Sequence, residues 1–135
     1  MNNATREAAR ESCVSLTTFR RNGIGVPTPV WAAPSRDNPD ELVVLTGDHT
    51  GKVKRLKNHP RVELRPCDRK GNVRPDVPTW TGSARIDRSP EGVLAVKRAI
   101  GDKYGWWYRA LISVEVLVAP LLPYKPRAAI HIVLD

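Results

Sequence analysis

Apolar and hydroxyl residues alternate from Cys13 to Phe19, the two-residue period of a strand with one face in a core. Arg20-Arg21-Asn22-Gly23 follows as a turn with Asn-Gly at its tip, so a hairpin is predicted. The returning strand, Val26 to Ala33, carries Pro27 and Pro29, which have no N–H to give to a ladder; something other than a neighbouring strand is expected to face that edge. After the turn Asp37-Asn38-Pro39-Asp40, the run Glu41 to Leu45 reads as a strand covered on both faces. A short helix opens at Thr50 and is ended by Pro60. Arg61 to Arg65 forms a fourth strand with Val62 and Leu64 on one face, Cys67 to Pro78 is a polar connection around Lys70-Gly71-Asn72, and Thr79 to Ile86 is a fifth strand.

Ser89-Pro90-Glu91 has the residues of a helix start: a capping hydroxyl, proline at the first helical position and an acid in the first turn. Val93, Val96 and Ile100 then share one face. Trp107, Leu111, Val114 and Val118 continue the helical stripe after Gly105 and predict a second helix, broken by Pro120, Pro123 and Pro126. Ala129 to Leu134 closes the chain as a strand. At the other end, Thr5 to Glu11 predicts a short polar helix in a loosely packed arm over residues 1–12.

Six short strands with helices inserted late, within 135 residues, predict a single mainly β domain over residues 1–135: a small β-barrel with helical inserts that plug an end or pack outside. Twelve prolines and nine glycines placed between apolar runs support strands and turns over a helical bundle. A barrel this small fills its interior with side chains. A sizeable ligand is therefore expected at the rim or between two subunits, which predicts a homodimer.

The formal charge of +8 favours anionic partners: nucleic acid, an acidic membrane, or a phosphorylated or polycarboxylated small molecule. No apolar run is long enough to span a bilayer and the start Met-Asn-Asn-Ala-Thr-Arg-Glu lacks a signal-peptide core, so a cytoplasmic protein without a membrane partner is expected. Cys13 and Cys67 lack CxxC spacing and are too few for a disulfide framework or a zinc site; they are expected to be ordinary reduced thiols, and no metal site is expected. The basic residues Arg20, Arg21, Lys52, Lys54, Arg55 and Lys57 raise a nucleic-acid reading, but Val53 and Leu56 interrupt them at core-facing spacing and no nucleic-acid signature accompanies them, so nucleic acid is not the expected partner.

The stretch from Thr46 to Pro60 carries the most chemistry. It reads as strand, tight turn and helix, and a helix start leaves backbone N–H groups unpaired beside a partial positive charge. The hydroxyls of Thr46 and Thr50 and the ammonium of Lys52 would together hold a phosphate, with Thr50 as the helix cap and Lys52 in the first turn, where the helix dipole disfavours a cation unless an anion offsets it.

Ser15 to Arg20, Gly25 to Trp31, Leu45 to Lys52, Asn58 to Val62 and Lys103-Tyr104-Gly105-Trp106 occur in an order and spacing that resemble the pyridoxamine phosphate oxidase-like, FMN-binding split β-barrel flavin and deazaflavin oxidoreductases. Within them the chain is most similar to the actinobacterial branch dependent on coenzyme F420. The resemblance spans about Val14 to Leu134 and implies a homodimer with two cofactor sites across the interface. It implies that Thr46, Thr50 and Lys52 bind the cofactor phosphate, that Lys54 or Arg55 assists with the phosphate or an anionic tail, and that Thr28, Pro29 and Val30 lie along the ring system. FMN-binding members often place arginine where Gly51 and Thr28 stand here, so the resemblance favours F420, with FMN as the alternative.

A deazaflavin or flavin carries the hydride chemistry itself, so no catalytic side chain is expected, and the acceptor would be a small organic molecule. A cofactor-binding protein without turnover fits the same residues. No HExxH, nucleophile elbow, Walker loop or GxGxxG is present to carry a hydrolase, P-loop or Rossmann reading. His49 is expected to be a solvated turn histidine, His59 a helix-end residue, and His131 a partnered sheet histidine. Trp107 is expected in the core, with Trp31, Trp80 and Trp106 as alternative cleft walls and Arg127 either at the surface or on an anionic tail.

Overall fold

Gly23 adopts a φ of 87°, which a side chain would resist, and so lets the chain reverse at Asn22-Gly23. In the computed structural model, which describes residues 2–48, 50–105 and 127–135, this turn joins β1 (Val14–Phe19) to β2 (Gly25–Val30) in an antiparallel hairpin. The Arg20 N–H donates to the Ile24 carbonyl at 2.9 Å, which sets the phase of the ladder. Counting outward, the pairs Thr18/Val26, Leu16/Thr28 and Val14/Val30 exchange hydrogen bonds, and Pro27 and Pro29 fall between them. Both prolines therefore turn their peptide groups to the open edge, as their sequence required.

The returning strand is not continuous. β2 ends at Val30, and after the single residue Trp31 the chain resumes as β3 (Ala32–Pro34), which pairs with β4 (Glu41–Gly47) instead of β1. With β5 (Arg61–Pro66), β6 (Trp80–Asp87) and β7 (Arg127–Leu134), the described residues form seven strands, one more than expected, in the order β2-β1-β5-β6-β7-β4-β3. The two edge strands of this sheet are neighbours in the chain. One residue spans only about 3.5 Å, so the sheet must curl until its edges meet at Trp31, and the result is a curled antiparallel half-barrel.

Leu16, Leu42, Val44, Val62, Leu64, Ile130 and Ile132 fill its concave side and are fully buried. Gly82 of β6 lies so close to β7 that a Cβ there would collide with the Val133 carbonyl oxygen, so only glycine permits this strand spacing.

The helices divide their roles as expected. α2 (Gly51–Asn58) links β4 to β5, which are not neighbours, and so crosses one end of the barrel; Val53 and Leu56 point inward and Leu56 joins the interior cluster. α3 (Pro90–Tyr104) packs outside, placing Val96, Ala99 and Ile100 on Ala33, Val43 and Ala129. Its start follows the sequence: the Ser89 hydroxyl accepts from the Gly92 N–H at 3.0 Å, with Pro90 and Glu91 in the first turn.

One expectation about packing is corrected. The N-terminal helix α1 (Asn3–Arg10) is not loosely packed: Asn2 caps it and donates to the Leu134 carbonyl at 3.0 Å, while Thr5 and Ala8 are fully buried. Cys13 and Cys67, distant in sequence, face each other across the β1–β5 pairing with their sulfurs 3.5 Å apart. The helix expected after Gly105, with Trp106, Trp107 and Tyr108, lies outside the described residues, as does His49.

Candidate functional site

The site grows from the end of β4. Alternation along that strand turns Leu42, Val44 and Thr46 to the barrel interior, and Thr46 is buried. Its hydroxyl lies 3.3 Å from that of Thr50. Thr50 occupies the cap position of α2 with extended backbone, yet its hydroxyl donates backward to the Gly47 carbonyl at 3.0 Å and makes no bond to the helix. That corrects the expected side-chain cap, and the reason is the tight turn, which brings the Gly47 carbonyl within reach first. The N–H groups of the first turn of α2 thus receive no side-chain acceptor from the cap residue, and two threonine hydroxyls stand beside them.

Lys52 enters this first turn half-buried. Burial, and then the neighbouring positive charge of Arg55, lowers its pKa below the ordinary lysine range. α2 carries Lys52, Lys54, Arg55 and Lys57 with no acid in its first turn, and among the described residues no carboxylate lies within ion-pair distance of any of them. Lys52 and Lys54 stand in the first turn, where the macrodipole opposes a cation, while Arg55 and Lys57 lie in the last turn, where it favours one. An anion at the helix start would offset the charge of Lys52.

Arg55 is more constrained than a surface arginine. Its Nε donates to the Thr18 hydroxyl at 2.6 Å, and its guanidinium folds back over Gly51, where a Cβ would lie 2.6 Å from Nη1. Burial, then the charge of Arg20, lowers its pKa from the usual arginine value. Beside it a cleft of about 310 Å³ opens between the β1–β2 turn and α2, lined by Phe19, Arg20, Arg21, Lys54, Arg55 and Asn58. Four of those six side chains are cationic, and the volume matches the smaller end of ligand pockets. In the sequence Arg20 and Arg21 stand out only as basic residues; their meeting with α2 depends on the hairpin reaching the barrel end that α2 crosses, which no local pattern announces.

The remaining predicted residues lie on β2. Thr28 pairs with Leu16 and shares its inward face with Thr18, the residue gripped by Arg55. Val30 is buried in the core, so its side chain is not available to a ligand. Pro29 is exposed and, by the phase of the ladder, is the one of the three whose carbonyl faces the open edge. Thr46, Thr50, Lys52, Lys54 and Arg55 are thus gathered at one end of the barrel, while Thr28 stands apart on β2, on the same inward face of the hairpin as the Thr18 that Arg55 bonds.

Other candidates fall elsewhere. His131 is a partnered sheet histidine: its Nδ1 lies 3.1 Å from Glu41 Oε2, and Arg85 approaches the same carboxylate at 3.3 Å. His59 ends α2 and its ring lies 5.7 Å from Phe19. Trp80 is buried in the core, while Trp31 is 41% exposed and stacks on Tyr104 at 5.0 Å. Lys103 Nζ donates to the carbonyls of Glu11 and Ala32, both at 2.6 Å, and burial lowers its pKa to about 8. Arg127 opens β7 opposite Gly47. Among the described residues no group of three or more potential ligands could hold a metal ion, and no helix is long and apolar enough to cross a membrane.

No protein-family model matches the chain, and no curated protein matches it. Solved structures do. A conserved hypothetical protein of Mycobacterium tuberculosis superposes with a TM-score of 0.68 at 20% identity, covering 100% of this chain and 81% of the other. The heme storage protein HutZ of Vibrio cholerae gives 0.64 at 13% identity, covering 98% and 86%. An F420 reductase gives 0.59 at 18% identity, covering 100% and 96%. Proteins described by their resemblance to pyridoxamine 5'-phosphate oxidase are among the further matches. At these identities the likeness is one of fold: the chain shares the split β-barrel fold of these structures.

Proposed function

We propose that this protein is an F420-dependent oxidoreductase, working in the cytoplasm as a homodimer and acting on a small organic acceptor. The observation that carries the reading is the cationic start of α2, whose half-buried Lys52 and neighbouring basic residues have no carboxylate partner among the described residues. The residues present fit such a cofactor. Thr46, Thr50 and Lys52 would hold its phosphate, with the Thr50 hydroxyl exchanging its bond to the Gly47 carbonyl for one to the anion. Lys54 and Arg55, with Arg20 and Arg21 across the cleft, would take further carboxylates of an anionic tail. Of Thr28, Pro29 and Val30, Pro29 would border the ring system through its carbonyl at the open edge of β2, with Thr28 and Val30 fixing that edge by their bonds to β1.

When bound, the reduced deazaflavin supplies a hydride to the acceptor, and the chain supplies position and electrostatics. Thr18 holds the Arg55 guanidinium in place, so that cation is oriented before a ligand arrives. Lys52 is already partly desolvated, which strengthens its attraction to an entering phosphate relative to a fully hydrated surface lysine.

FMN is the second reading, and one observation favours it. The Arg55 guanidinium occupies the space over Gly51, so the cation missing at position 51 is delivered from one helical turn later. Parallel titration of the purified apo-protein with F420 and with FMN, followed by ligand fluorescence, separates the two. Tighter F420 binding, weakened by Lys52→Ala, is expected. FMN preference moves the assignment to the flavin branch, and failure of both ligands to bind overturns the site. Oxidation of reduced F420 by added acceptors, compared with and without protein, separates an enzyme from a carrier.

A further inference from the structure

Cys13 and Cys67 sit directly beyond the last register pair of β1 and β5, Val14 with Pro66, and the Cys67 N–H donates to the Cys13 carbonyl at 3.3 Å. Their sulfurs are 3.5 Å apart, Cys13 is buried and Cys67 is partly exposed. A disulfide needs Sγ atoms about 2.05 Å apart, so closure requires an approach of roughly 1.5 Å. Both residues lie just outside the regular strands. We propose that this pair is a reversible oxidation site at which a low-molecular-weight disulfide converts two thiols into a Cys13–Cys67 cross-link.

The exchange balances in two steps. The Cys67 sulfur, as thiolate, attacks the small disulfide, forming a mixed disulfide and expelling one small thiolate. The Cys13 sulfur, losing its proton to solvent, then attacks the Cys67 sulfur and expels the second. The protein gives up two electrons and two protons, and one small disulfide becomes two small thiols. The order follows from exposure, since a reagent from solvent reaches Cys67 first and Cys13 already faces it from within. Burial, aided by the Cys13 contact, raises the Cys67 pKa to about 12, so the attack is slow at neutral pH and accelerates about tenfold per pH unit while the thiolate is the minor form.

The pair has a place in the fold that gives oxidation a structural consequence. The carbonyls of Glu11 and Ser12, immediately before Cys13, hold Lys103 and Tyr104 of α3, and Tyr104 stacks on Trp31 where the sheet edges meet. A shift of Cys13 toward Cys67 pulls on that junction.

Folded protein incubated with oxidised glutathione, quenched in acid and analysed by intact mass and peptide mapping tests the proposal. The expected product is the loss of two hydrogens with a peptide pair joining positions 13 and 67, reversed by dithiothreitol and forming faster at pH 9 than at pH 7. Cys13→Ser is expected to stop at glutathione on Cys67, and Cys67→Ser to leave Cys13 unmodified while folded. If both thiols of the folded wild type persist under excess oxidant at pH 9, or each carries its own glutathione with no internal bond, the proposal is overturned. The wild-type result decides alone, so a variant that fails to fold does not protect it.

Discussion

Lys52→Ala separates binding from folding because the two effects have opposite signs. In the apo-protein the substitution removes a cation from the first turn of α2, where the helix dipole opposes it, and introduces a better helix former. Stability should hold or rise by about 0.3–1 kcal/mol. A charge-assisted hydrogen bond to a phosphate is worth about 1.5–3 kcal/mol, so ligand affinity should fall about 10- to 150-fold. Linkage turns this into a crossing of melting curves. At a ligand concentration of about 100 times the wild-type Kd, the wild type gains about 2.7 kcal/mol and a thirtyfold weaker variant only about 0.9. For a chain of this length that gap is roughly 5–9 °C in Tm. The assay is thermal unfolding of both proteins with and without F420 or FMN, alongside fluorescence titration. Equal affinities would refute the phosphate site. A drop of more than about 1 kcal/mol in apo stability would show instead that Lys52 serves the fold.

Thr18→Val should release Arg55, costing about 1 kcal/mol and weakening whichever anionic cofactor binds; affinity unchanged in a folded variant would show that the anchored guanidinium is not used. Gly82→Ala should cost about 2–4 kcal/mol in urea unfolding, because the new Cβ meets backbone that cannot retreat without parting β6 from β7. For Lys103, burial lowers the pKa to about 8, so between pH 8 and the unfolded value near 10.5 the unfolded chain holds the extra proton and stability rises with pH. That rise, about 1–2 kcal/mol after allowing for the half-exposed side chain, should be the part of the pH profile lost in Lys103→Met, as followed by denaturant unfolding at stepped pH.

Much of this architecture was written in local patterns. The alternation from Cys13 to Phe19 and the Asn-Gly tip gave the hairpin, and Ser89-Pro90-Glu91 marked the start of α3, because these signals concern residues in contact with their chain neighbours. The switch at Trp31 was not legible, since extended backbone looks the same whichever strand it pairs with, and the partners of β2 and β3 lie on opposite sides of it in sequence. The candidate site divides in the same way. Thr46, Thr50 and Lys52 could be grouped from spacing alone, whereas the Arg55–Thr18 bond spans 37 positions and the Cys13–Cys67 approach spans 54, and both emerge only from the strand order. The direction of the Thr50 hydroxyl is not legible in sequence because a cap residue can turn either way, and the turn geometry decides.

The one-residue joint at Trp31 also bears on how the circumference of this cylinder is fixed. Most closed sheets keep their girth through bonds between first and last strands, and can in principle gain or lose a strand at that line. Here the two margins are tied by a peptide tether too short to admit another strand, while Pro27 and Pro29 leave the adjoining margin unable to zip shut. The cylinder is therefore held like a ring with a permanent slit beside its clasp, and lengthening the tether at residue 31 would loosen the ring without touching a single residue of its interior.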